Sequence, residues 1–153
     1  MVVEPKDIKY KRKKVKNKRE YFRLIERLRI NVQQIEKPEK NQRIDDLIVT
    51  GAGEGFEFYT QDISAGGMQF FSEVFYSENS YLEITINFKE ADPPFEPVKV
   101  NAIVNRAEQV ENSLYHNIAV MFVGMSQRKR SHIERYIFLR QRDMIAEKRI
   151  GFL

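Results

Sequence analysis

Cysteine is absent from this chain of 153 residues. That excludes a disulfide framework, thiolate metal sites and a cysteine nucleophile, and it suits a reducing cytoplasm. No apolar run approaches the 18 residues of a membrane span, and the N-terminus is charged rather than carrying the apolar stretch of a signal peptide. The expectation is a soluble, cytoplasmic protein without membrane insertion. Histidine is scarce: His116 and His132 are the two in the chain, and neither has a second histidine at metal-ligand spacing. No G-x-S-x-G motif or paired-acid arrangement stands out, so neither a metal site nor an enzyme is expected. The glycines of Gly51-Ala-Gly53-Glu-Gly55 lack a following G-K-[ST], which argues against a phosphate loop and for a turn. What is present, 42% hydrophobic residues, suffices for one core and leaves no room for two.

Charge is unevenly placed. Residues 1–29 hold 12 Lys/Arg against 4 Asp/Glu, a net of +8, so the +4 total leaves −4 for residues 30–153. The run from Lys9 to Arg19 repels itself, and residues 1–22 read as a basic, flexible arm suited to binding an anion.

After Leu24 the apolar period becomes two. Leu28, Ile30 and Val32 alternate with Arg29, Asn31 and Gln33, the pattern of a half-buried strand. Further strands are expected at Ile44–Thr50, Phe56–Gln61, Gly67–Ser72 and Tyr81–Phe88. Val98–Val104 and Leu114–Val123 form a hairpin around a polar turn at Glu108–Ser113, which places His116 mid-strand. Many short strands without intervening helices predict a mainly β fold, an antiparallel barrel of six to seven strands over residues 23–125. Residues 126–153 differ. Ile133, Tyr136, Ile137, Arg140 and Met144 recur at helical spacing, and Ser131-His-Ile-Glu134 has the form of a capping box. A C-terminal helix is expected to run from this capping box, with Ser126 as the earliest start, to about residue 147, with His132 in its first turn, and closure of the barrel mouth is preferred over a partner-binding role for it.

Two short motifs stand apart from the fold pattern. Asp62-Ile-Ser64-Ala-Gly66-Gly67 joins two strand-like runs, and this composition yields a D-x-S-x-x-G pattern only ~0.01 times by chance. Arg19-Glu-Tyr-Phe-Arg23 ends the basic arm. Arg23 and Arg27 repeat its spacing, but Arg27 lies within the strand pattern. A guanidinium binds phosphate oxygens with its fork and stacks on a flat base with its plane. On a non-helical segment, four-residue spacing lets Arg19 and Arg23 straddle a ligand. Asp62 can accept hydrogen bonds from a guanine edge, Ser64 can donate or accept beside it, and Gly67 permits a backbone conformation or close approach that a Cβ forbids. The same residues also fit a purely structural role, with Asp62 and Ser64 shaping a turn and the arginines serving as tail charges.

Together these motifs resemble the PilZ domain, the bacterial receptor module for cyclic di-GMP. The likeness covers residues 18 to about 147: Lys18-Arg19-Glu-Tyr-Phe-Arg23 resembles the arginine motif, Asp62-Ile-Ser64-Ala-Gly66-Gly67 the second motif, and the segment from His132 to Asp143 the C-terminal helix of the flagellar brake subgroup. The resemblance implies that Arg19 and Arg23 bind phosphates and guanine faces while Asp62, Ser64 and Gly67 frame a guanine edge, with Lys18 and Gly66 adjacent. It further implies an arm that folds over the nucleotide, a protein partner in the flagellar motor or in polysaccharide synthesis, and no cofactor beyond the ligand. Lys18 stands where many relatives have an arginine, so one nucleotide and an intercalated pair both remain open. The brake subgroup's N-terminal β-domain does not precede the barrel here, which fits either a single-domain relative or a C-terminal part of one.

A nucleic-acid-binding barrel is the alternative, resting on the basic arm with Tyr10, Tyr21 and Phe22 interleaved. The net −4 of residues 30–153 makes that barrel a poor platform for a polyanion.

Overall fold

The computed structural model describes residues 23–37, 55–88 and 95–151, with side chains in the last segment described to residue 147. The basic arm and the strand expected at Ile44–Thr50 lie outside the described residues, as do Gly51 and Gly53.

Alternation of apolar and polar residues builds six strands: β1 (Arg29–Ile35), β2 (Phe56–Ile63), β3 (Gly67–Ser72), β4 (Tyr81–Asn87), β5 (Val98–Gln109) and β6 (His116–Val123). All neighbours pair antiparallel in the order β1-β2-β3-β6-β5-β4. β4 returns to β1 from Arg29↔Asn87 to Ile35↔Tyr81, so the sheet closes on itself and leaves no open edge. Every second side chain then points into one interior. Ile30, Val32, Phe70, Leu82, Ile84, Ile86, Val104 and Ile118 are wholly buried there.

The structure redraws several boundaries. β5 continues through Glu108 and Gln109, which sequence patterning assigned to a turn, because a bulge between Val104 and Arg106 resets the register and carries pairing on to Gln109↔His116. The turn is therefore Val110–Tyr115, closed by Val110 N–H donating to the Tyr115 carbonyl at 2.8 Å, with Asn112 left-handed at φ 59°. Leu114 and Tyr115 belong to this turn, and His116 opens β6 instead of sitting mid-strand. β4 ends one residue early, and Phe88 turns into an aromatic cluster with Phe95, His132 and Tyr136, its ring 4.5 Å from that of Tyr136.

The helix α1 (Gln127–Gly151) starts one turn ahead of the expected capping box. Ser126 is the cap: its hydroxyl accepts from Lys129 N–H at 3.2 Å and its carbonyl from Arg130 N–H at 3.0 Å. Ser131 and Glu134 are thus interior helical positions, and His132 falls in the second turn. As expected, α1 packs on the barrel, burying Ile133, Tyr136 and Ile137 in the common core.

A buried carboxylate ties the segment before β1 to this helix. Glu26 is 5% exposed, accepting from Tyr136 Oη at 2.9 Å and from Arg140 Nε and Nη2, both at 2.9 Å. Burial alone would lower the Arg140 pKa, but the hydrogen bond and charge of Glu26 outweigh it and hold the guanidinium above its ordinary value.

Tyr76 sits in the same core, 3% exposed, and its hydroxyl has no hydrogen-bond partner among the described residues. Burial pushes its pKa from 10.0 up to about 12. The folded state therefore keeps the proton to about pH 12, whereas the unfolded chain releases it near pH 10. Below pH 10 the group adds no pH dependence, and stability is lost as the pH rises through this window. Tyr76→Phe removes both the unsatisfied hydroxyl and the titration. Its thermal midpoint should match or exceed that of the parent at neutral pH, and its advantage should widen between pH about 10 and about 12 in a melting series.

Candidate functional site

Simple alternation along β2 would put Asp62 on the same inward face as Thr60. A bulge between Thr60 and Asp62 prevents this: Thr60 pairs with Phe70, Asp62 with Gln69, and Ile63 with Met68. The added residue turns Asp62 outward while Ile63 drops into the core at 0% exposure. The motif is therefore not all loop. Asp62 and Ile63 end β2, Ser64–Gly66 make the turn, and Gly67 begins β3.

The chain before β1 is threaded against this bulge. Leu24 N–H donates to the Ile63 carbonyl at 2.7 Å and Ile63 N–H to the Leu24 carbonyl at 2.9 Å, an antiparallel bridge. Thr60 Oγ1 donates to the Glu26 carbonyl at 2.6 Å and accepts from Leu28 N–H at 2.8 Å. These bonds place Arg23 beside Asp62. Arg23 Nη1 donates to both carboxylate oxygens, at 3.3 and 3.2 Å, and Gln69 Nε2 donates to Oδ2 at 3.1 Å. Asn117 Nδ2 in turn donates to Gln69 Oε1 at 3.2 Å.

The structure thus brings Arg23 and Asp62 together from positions 39 residues apart. Arg19 and Lys18 lie outside the described residues. Ser64 is drawn into the turn, where Oγ accepts from Gly66 N–H at 3.1 Å and Gly67 N–H at 3.2 Å, while Ser64 N–H donates to the Gly67 carbonyl at 2.8 Å. Gly67 is required by close approach and not by a left-handed backbone: a Cβ there would lie 2.2 Å from the Val120 carbonyl oxygen on β6. Arg27 is exposed and lies over the Tyr59 ring, 5.1 Å from its centroid. It borders a groove of about 960 Å3 that reaches Gln61, next to Asp62, and is walled by Ile25, Tyr59, Phe71 and Tyr115.

Sequence reasoning missed Gln69, although its signal was available. It sits between inward Met68 and Phe70, hence outward, across from the motif aspartate. Among the described residues no group of three or more His, Asp or Glu side chains is arranged to hold a metal ion, and no helix is long and apolar enough to cross a membrane.

Two of the ion pairs among the described residues differ in kind. Arg140 and Glu26 meet at 2.9 Å with side chains 21% and 2% exposed, whereas Arg23 and Asp62 meet at 3.2 Å with 34% and 15%. A charge-assisted N–H···O bond favours about 2.7–2.9 Å, so the Arg23–Asp62 contact is long and partly solvated, and little energy is lost in redirecting the Arg23 guanidinium. Gly67→Ala, by contrast, drives a Cβ into backbone. It should lower the free energy of unfolding in urea by ~2 kcal/mol or more.

No curated protein matches this sequence. Among solved structures, the inhibitor of motility MotI/DgrA of Bacillus subtilis superposes with a TM-score of 0.61 at 16% identity, covering 82% of this chain and 52% of that one. This chain thus spans about half that protein's length. The PilZ domain of YcgR from Escherichia coli, solved with c-di-GMP, gives a TM-score of 0.58 at 15% identity over 85% of this chain and 96% of that one. MrkH of K. pneumonia in its apo state gives 0.56 at 18% identity over 85% and 52%. At such identities these likenesses establish the fold. The family model for the PilZ domain matches residues 17–139, from the arginine motif through the buried face of α1, and the chain belongs to the PilZ domain family.

Proposed function

We propose that this protein is a cyclic di-GMP receptor whose ligand state regulates a partner, as a signalling component and not as a catalyst. The observation that carries this reading is the long, partly exposed contact between Arg23 and Asp62 on the outer barrel wall. A cyclic dinucleotide offers a phosphate for the guanidinium and a guanine edge with two N–H donors for the carboxylate. Both groups presently occupy each other, and a ligand that satisfies both replaces one solvated ion pair with two charge-assisted contacts. Support also comes from the family match and from the similarity to a YcgR domain solved with c-di-GMP.

In this proposal Arg23 binds phosphate and stacks, Asp62 reads the guanine edge, and Gln69 holds the carboxylate in orientation. Ser64 and Gly66 shape the turn, and Gly67 brings β3 against β6. Arg19, with Lys18, supplies the second cation from the arm. The regulated partner in this reading is a motility or polysaccharide-synthesis component, in line with the similarity to an inhibitor of motility.

Titration calorimetry tests the reading. Cyclic di-GMP should bind with low-micromolar or better affinity and GTP far more weakly; absence of heat at tens of micromolar protein defeats the proposal. Arg23→Ala and Asp62→Ala should each weaken binding by ~1.5 kcal/mol or more, about tenfold, with the barrel still folded by circular dichroism. Persisting affinity with a collapsed melt for Asp62→Ala would assign the aspartate to the turn instead.

The proposal extends to the arm. Residues 1–23 carry ten lysines and arginines against three acids, and a ligand with two phosphates supplies counter-charge at Arg19 and Arg23. Hydrogen exchange across residues 11–23 should slow when cyclic di-GMP is added. Unchanged exchange would remove the switch and leave binding intact.

A further inference from the structure

α1 has a second face that neither the core nor the nucleotide site uses. Arg128, Ser131, Arg135, Phe138, Arg142 and Ile145 are spaced alternately by three and four residues, and all six are exposed, Phe138 at 64% and Ile145 at 54%. The arginines recur every seven residues, about 10.5 Å apart along the axis. Among the described residues none of the three makes an ion pair or hydrogen bond through its side chain. No acid stands among the six, and Glu134 borders them on one flank.

The helix start is also charged against its own dipole. The first turn holds Arg128, Lys129 and Arg130 and no acidic residue, where the positive end of a helix favours anions by roughly 0.3–1 kcal/mol per charge.

We propose that this face docks an acidic amphipathic helix of a partner protein, one with a carboxylate at one core position of each heptad and an apolar residue at the other. The spacing is that of a coiled-coil seam, in which Phe138 and Ile145 supply the apolar knobs and the arginines face the partner's carboxylates. A straight α-helix drifts about 20° per heptad against a strict seven-residue repeat. A second helix that supercoils around the first absorbs this drift. An anionic bilayer fits less well, since interfacial helices need a broad apolar face and this one has two large apolar side chains. A second copy of the chain would set arginine against a face with no acid.

The 153-residue chain is titrated against two fluorescent helical peptides, one with Glu at every a position and Leu at every d, the other with Gln replacing each Glu. The Glu peptide should bind at micromolar protein, and the Gln peptide at least tenfold more weakly. Arg135→Glu/Arg142→Glu should abolish the preference with an unchanged melting midpoint, because both residues are exposed, and Phe138→Ala should weaken binding several-fold. Arg23→Ala should leave peptide binding intact, which separates this surface from the nucleotide proposal. Equal affinity for both peptides, or none for either, overturns the inference. So does co-sedimentation with phosphatidylglycerol vesicles that the double substitution abolishes, or self-association of the chain through this face.

Discussion

One buried negative charge organises the segment on which the candidate site depends. Glu26 has almost no access to water, and an uncompensated carboxylate there would be prohibitive. Arg140 and Tyr136 from α1 supply its partners at 2.9 Å. Removing one member of such a pair costs ~3–5 kcal/mol in typical cases, because the other is left buried and charged. The segment before β1 and the C-terminal helix are therefore held as a unit, though 110 residues or more separate them. Leu24 and Leu28, on either side of Glu26, are locked to β2 through Ile63 and Thr60. Arg23 inherits its position from these contacts.

The second constraint lies in β2 itself. Without the bulge after Thr60, Asp62 would point into an apolar barrel and Ile63 into water. The bulge reverses both, turning a chemically active side chain out at no loss to the core. Gly67 completes the arrangement by letting β3 approach β6 to a distance that any Cβ would block. The turn between β2 and β3 is held by the Ser64 hydroxyl. So the motif residues divide into two groups by physics: Asp62 has acceptors directed at the surface, while Ser64 and Gly67 hold the backbone that directs them.

Most of the barrel was legible because half-buried strands write their orientation as alternation, as in Leu82, Ile84 and Ile86 or Val100, Ala102 and Val104. The barrel's closure and the packing of α1 followed from the same apolar positions. What escaped was whatever changes register. The bulge at Val104/Arg106 lengthened β5 past the polar residues that resemble a turn, and the bulge at Thr60 placed Asp62 in a strand instead of a loop. Bulges leave no reliable trace in hydropathy, since one added residue is consistent with either phase. Glu26 was equally hidden, though its phase between Leu24 and Leu28 assigned it to the buried face. An acid in that phase is a signal for a buried partner, and Arg140 answers it from a helix whose sequence spacing also pointed inward. The helix start was misplaced because Ser131 and Glu134 match a capping box in composition, while Ser126, followed by basic residues, forms the cap by its hydrogen bonds.

These constraints determine where a ligand can act on the structure. From Leu24 onward the chain is fixed by paired backbone bonds to Ile63 and by the Thr60 contacts to Glu26 and Leu28, so a ligand at Asp62 does not easily shift that segment. Arg23 is the residue just before the first of these bonds. Among the described residues its guanidinium is held by a long contact to Asp62, and its side chain is a third exposed. In the proposed binding mode, a dinucleotide that claims Asp62 would free Arg23 to follow the phosphate without disturbing the Glu26 cluster. In that mode the segment from Leu24 onward would stay fixed by its bonds to β2. The outer face of α1 belongs to the fixed part, because the helix is anchored through Tyr136, Ile137 and Arg140. A partner docked there would keep its footing in either ligand state, and in the proposed binding mode the ligand would act on the surface at Arg23 instead.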